Sequence, residues 1–157
     1  MYPVPPGFQK GHAVIIPTNC QTCGIVVIRA IEPFRLEELL EGAKQAAENA
    51  GLKAVFGNPV LLDFRKASLH DYTADDFRRI FRQRMEFTSQ HTEVPYAMVA
   101  GSDVDFGMLR MYGAYAEIAG LRSAENSLVT KSYNDAIVWV RAKAGCPQPE
   151  SCREIDI

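Results

Sequence analysis

Apolar positions along the chain fall into short β-branched runs and longer stretches at helical spacing. Ala13 to Ile16 and Gly24 to Ala30 are two such runs, and the span 17–23 between them predicts a hairpin or a longer reversal. After Pro33, Leu36, Leu39, Leu40, Ala43, Ala47 and Ala50 recur at helical spacing. Glu37, Glu38, Glu41, Lys44 and Glu48 take the opposite face, and Gly51 stops this amphipathic helix. Val60 to Phe64 is almost wholly apolar, the pattern of a strand buried on both faces. Thr73-Ala74-Asp75-Asp76 opens a helix with Phe77, Ile80, Phe81 and Met85 inward and its acids in the first turn, where the helix dipole favours them. Pro95 precedes a strand at Tyr96 to Ala100, and Gly101, Ser102 and Asp103 make the turn into a helix over Phe106 to Ala119. Ser127 to Thr130 fits a last strand, and Tyr133 to Lys143 a last helix, closed by Gly145 and Pro147. The order ββαβαβαβα predicts an α/β domain. Its central sheet of about five strands should be mostly parallel, with one antiparallel edge and about four helices.

Composition narrows the class without naming an activity. The chain has 157 residues, 47% hydrophobic and 23% charged, which fits one globular domain and excludes a disordered or fibrous chain. Lys and Arg number 17 against 19 acids, and a net charge of −2 argues against a nucleic-acid partner. No apolar run has the length of a membrane span. Residues 1–12 read as an extended Pro-rich leader without the features of a secretory signal, 13–145 as the domain and 146–157 as a tail. The expectation is a soluble, cytoplasmic protein.

Four cysteines stand at 20, 23, 146 and 152. Cys20 and Cys23 have the spacing of half a zinc site, but Cys146 and Cys152 lie five residues apart across two prolines, which is irregular for zinc. Reduced thiols in a turn and a tail are the favoured reading. Other motifs are sparse. Glycine-rich phosphate loops and nucleophile elbows are missing, and His12, His70 and His91 form no metal spacing. His70-Asp71 is a lone pair in a polar loop. Asp103 and Asp105 lie at the strand-to-helix edge where α/β folds bind ligands, a position that helix capping also explains. Arg78, Arg79, Arg82 and Arg84 read as a solvated helix face. No cofactor is expected.

Residues 98 to 115, MVAGSDVDFGMLRMYGAY, resemble the strand–turn–helix signature of SpoIIAA-like proteins. Leu61-Leu62-Asp63-Phe64 resembles the central strand of that family, and Asp135 to Val140 its closing helix, so the resemblance spans about Ala13 to Arg141. It implies a STAS-like fold, related to anti-sigma-factor antagonists and sulphate-transporter tails, with some similarity to lipid-binding Sec14 proteins. In the antagonists a serine at the start of the helix after the central strand is phosphorylated by a partner kinase. The matching loop here is Asp71-Tyr72-Thr73-Ala74, which makes Thr73 the phosphoacceptor candidate and Asp71 the acid beside it. Tyr72 and Ala74 stand where the antagonists carry serine and glycine. As a helix N-cap, Thr73 has a purely structural alternative.

The helix over 106–119 carries more apolar bulk than one core stripe needs. Phe106, Met108, Met111, Tyr112 and Tyr115 form the candidate partner or ligand surface. The leading expectation is a non-enzymatic, STAS-like regulatory module that binds a protein partner and forms a homodimer. The alternative is a carrier of a small, lipid-like ligand in a pocket beside this helix, lined by Met108, Met111, Tyr112 and Tyr115. An enzyme would need His70, Asp71 or Asp103 to converge on one cleft.

Overall fold

The computed structural model describes residues 14–16, 25–32, 35, 59–87, 94–118, 120 and 123–146. The leader 1–12, Cys20 and Cys23, the helix expected over 36–50, His12, His91 and the tail beyond Cys146 lie outside the described residues, as do the side chains of Phe81, Arg84 and Met85.

A sheet forms the centre. Its strands are β1 (Val14–Ile16), β2 (Val26–Ile31), β3 (Val60–Lys66), β4 (Tyr96–Ala100) and β5 (Ser127–Thr130), arranged in chain order. β2 to β5 run parallel, and β1 joins the edge antiparallel to β2. This is the α/β architecture that alternating periods predict. Sequential order means that each crossover steps to the neighbouring strand, so all parallel strands end on one edge.

Three described helices cover the faces: α1 (Ala74–Phe87), α2 (Asp103–Ile118) and α3 (Tyr133–Lys143). Phe77 and Ile80 of α1 and Leu109, Tyr112 and Ala116 of α2 pack on Ile28, Leu62, Phe64 and Met98. On the other face Ala136, Ile137 and Val140 of α3 pack on Val27, Leu61, Ala97 and Val99. β3 and β4 are therefore buried from both sides, which their unbroken apolar runs require.

Each helix start has a local cause. Thr73 and Asp76 form a reciprocal cap before α1: the Asp76 carboxylate accepts the Thr73 amide at 2.8 Å, and the Thr73 hydroxyl accepts the Asp76 amide at 3.3 Å. Ser132 accepts the Asp135 amide and caps α3. Ser102 accepts the Asp105 amide at 3.1 Å, so α2 begins at Asp103, earlier than the spacing of its large apolar groups suggests. Asp103 thus belongs to the helix and not to the turn.

The end of α3 corrects one expectation. Gly145 takes a left-handed conformation (φ +67°), while the Gly145 and Cys146 amides donate to Ala142 and Arg141 carbonyls. This is the double-bonded glycine stop of a helix, and it sets the position of Cys146. Cys146 is disulfide-bonded, not a reduced thiol, and its partner lies outside the described residues. Sequence spacing could not show this, because a bridge depends on which chain segments meet in space.

Candidate functional site

The parallel strands deliver their following loops to one edge, where α/β folds assemble ligand sites. The largest described loop there is 67–73, between β3 and α1. Its backbone is held from several elements. The Ser68 amide donates to Glu32 after β2 at 2.7 Å, and the Leu69 amide to Asp105 of α2 at 3.0 Å. Ala67 and Tyr72 donate within the loop to Phe64 and Leu69. Leu69 is fully buried and anchors the loop in the core. Next to it, a Cβ on Gly101 would lie 2.9 Å from the Arg65 carbonyl oxygen, so the backbones of β3 and β4 approach there as only glycine allows.

What the loop presents outward is polar. His70, Asp71 and Thr73 are exposed. The Ser68 hydroxyl is hydrogen-bonded to His70 Nδ1, and His70 Nε2 lies 3.4 Å from the Asp71 carboxylate. Ser68 is thus brought into line with the His-Asp pair that the sequence shows. Asp103 pairs with Lys131 and not with His70 or Asp71, so these acids do not converge. Lys131 holds the Asp103 carboxyl below its usual range, by hydrogen bonding first and charge second. Among the described residues, no three His, Cys, Asp or Glu side chains group as a metal ion would need.

A second feature of the same edge is a buried charge cluster. Asp63, only 1% exposed, receives Arg29 Nε at 2.8 Å from the adjacent strand, where Arg29 and Asp63 are register partners. Arg65, two residues on and on the same face, clamps both carboxylate oxygens, at 2.9 and 2.8 Å, and its amide adds a bond at 3.1 Å. Burial alone would raise the Asp63 pKa, but the bonds from Arg65 and Arg29 outweigh it and hold the carboxyl below its ordinary value. The Tyr133 ring covers the cluster, with the Arg65 guanidinium 4.2 Å and the Arg29 guanidinium 5.9 Å from its centre. Two guanidiniums share one carboxylate at this spot, beside the amino end of α3. Sequence reasoning took Asp63 as part of a strand and missed Arg29, Arg65 and Tyr133. The available signal was an acid inside an apolar run with an arginine two residues on.

The other candidates separate by face. The Thr73 hydroxyl is engaged by Asp76, so Thr73 caps α1, with Asp71 exposed beside it. Tyr112 is buried against Phe77, ring centres 5.8 Å apart. Phe106, Met108 and Met111 are half-buried against the same core. Tyr115 meets Arg78 of α1, which donates to its hydroxyl at 3.2 Å and lies over its ring. Arg78 and Arg79 pair with Asp75 and Asp76, one helical turn away, and Arg82 is exposed. No described helix is long and apolar enough to cross a membrane.

Comparison of the chain with protein-family models, with curated proteins and with solved structures gives no match.

Proposed function

We propose that this protein is a non-enzymatic, STAS-like interaction module that binds a protein partner through loop 67–73. The observation that carries the proposal is a pinned loop with an exposed polar crest. Its backbone is fixed by Glu32, Asp105 and Leu69, while His70, Asp71 and Thr73 face solvent. A pre-ordered loop loses little conformational freedom on binding, which is the property a recognition surface needs. The STAS-like assignment has the support of an antiparallel edge strand followed by four parallel strands in chain order.

Thr73 phosphorylation, which the family resemblance implies, sets a phosphate against the Asp76 carboxylate that its hydroxyl now contacts. Repulsion there opens the cap of α1, and this would be the means by which the modification alters docking. The Cys146 disulfide bears on location: such bridges persist in oxidising compartments, so it weighs against the cytoplasm.

The test uses a photo-crosslinking residue at position 71 and, in a second variant, at exposed position 142 on α3. Exposed to extract from the native host, the first should yield a discrete protein adduct that the second lacks. Equal labelling at both positions, or none at 71, removes the proposal.

A further inference from the structure

The face of α2 opposite the core should carry charge if it met only water. It carries Val104, Gly107, Ala114 and Ile118 instead, with Met111 between them, half-buried where it also reaches the core. Val104 is 61% and Ile118 84% exposed, Gly107 and Ala114 are exposed, and Met111 is half-buried. These positions alternate at spacings of three and four residues, the a and d pattern of a helix seam that seats a second helix. The buried positions Asp105, Leu109, Tyr112 and Ala116 lie on the other side of the same helix. Apart from Met111, which also packs on the core, the seam is additional to the core contact.

The flanking charges say what covers it. In heptad terms Asp103, Arg110 and Glu117 lie along one side of the seam, and Met108 and Tyr115 along the other. Arg110 lies 5.9 Å from the centre of the Phe106 ring but pairs with no acid among the described residues, and Glu117 pairs with no base there. We infer that α2 is a self-association helix, seating α2 of a second copy of this chain antiparallel across a two-fold axis.

One register satisfies both packing and charge. Centred between Tyr112 and Gly113, it sets Gly107 opposite the partner's Ile118 and Met111 opposite the partner's Ala114, each twice by symmetry. The four layers from Gly107 to Ile118 then each place a small residue against a large one, as interdigitating helices require, and Val104 lies beyond them. The same register brings Arg110 against the partner's Glu117, again twice, and Met108 beside the partner's Tyr115. Shifting by one step toward the amino end puts Arg110 against the partner's Arg110 and Asp103 against the partner's Glu117, which repel. A parallel pairing stacks Gly107 on the partner's Gly107 and leaves a gap with no charge pair. Charge thus selects a single arrangement.

A helix of 16 residues is about 24 Å long, so the contact falls among small interfaces, below about 1,200 Å², that associate reversibly. The seam requires no partner at loop 67–73, and this inference stands or falls apart from the crosslinking result. Sedimentation velocity over a wide concentration range tests it. The wild-type chain should shift from monomer to dimer as concentration rises. Arg110→Glu and Glu117→Arg should each weaken association about tenfold, since each converts two attractive contacts into repulsive ones. An equimolar mixture of the two variants should recover wild-type association. In the mixed pair the carboxylate introduced at position 110 of one chain meets the guanidinium introduced at position 117 of the other. Circular dichroism checks that both variants fold. A wild-type chain that stays monomeric at the highest attainable concentration overturns the inference. So do single variants that associate like wild type, or a mixture that associates no better than either variant alone.

Discussion

Asp63 shows how much one buried carboxylate can hold. It sits on a strand buried from both faces and accepts bonds from two guanidiniums and one amide, so removing its charge takes a buried carboxylate away from Arg29 beneath Tyr133. Asp63→Asn should cost about 3–5 kcal/mol in urea unfolding near neutral pH, the usual penalty for breaking a buried pair on one side. The pH dependence follows from the sign of the shift. The folded pKa of Asp63 is lowered, so its stabilisation is complete above the unfolded value, near pH 4, and is lost as pH falls through the folded value. Unfolding measured between pH 7 and pH 2 should show a steeper acid loss for wild type than for Asp63→Asn; parallel curves would contradict this. Gly101 is the other position where a single atom decides. Gly101→Ala forces a Cβ against the Arg65 carbonyl and should destabilise by about 1–3 kcal/mol in the same assay. Sequence offered Asp63 as part of a strand and Gly101 as part of a turn. The reasons these residues occupy those positions lie in neighbours from other strands.

At the scale of elements, capping and periodicity made most of the fold legible. β4, β5 and α3 fall where the sequence pattern puts them, because period and punctuation are local properties. The start of α2 did not, because Ser102 caps it ahead of its first large apolar residue. Thr73→Ala removes half of the reciprocal cap of α1 and should cost about 1 kcal/mol. A double-mutant cycle with Asp76→Ala should be non-additive, since both substitutions break the same pair of bonds. For α2, a Cβ at Gly107 meets no atom within 4 Å. Gly107→Ala should therefore stabilise the isolated chain by about 0.5–1 kcal/mol, measured by thermal unfolding at concentrations where it is monomeric. The same substitution fills a small position of the proposed seam, so a gain in stability should accompany weaker association.

Over the whole molecule, sequential strand order brings every post-strand loop to one edge and sorts the helices onto two faces. Just after α3, Cys146 carries a disulfide bond. Reduction should lower stability by about 2–4 kcal/mol, the common range for a native disulfide. Thermal unfolding with and without a phosphine reductant, alongside thiol titration of the denatured chain, checks it; an unchanged transition with Cys146 titrating as a thiol would exclude the bridge. By itself the sequence determined the alternation of strands and helices, the doubly buried β3, the cap of α1 and the glycine stop of α3, since each depends on residues a few positions apart. Only tertiary structure decided that Arg29 meets Asp63 across 34 residues and that Leu69 is held by Asp105 across 36. It likewise decided that Tyr112 turns inward while Val104 and Ile118 turn outward on one apolar helix. Those outcomes depend on strand register and on which helix face the sheet occupies, and a one-dimensional pattern of apolar residues leaves both open.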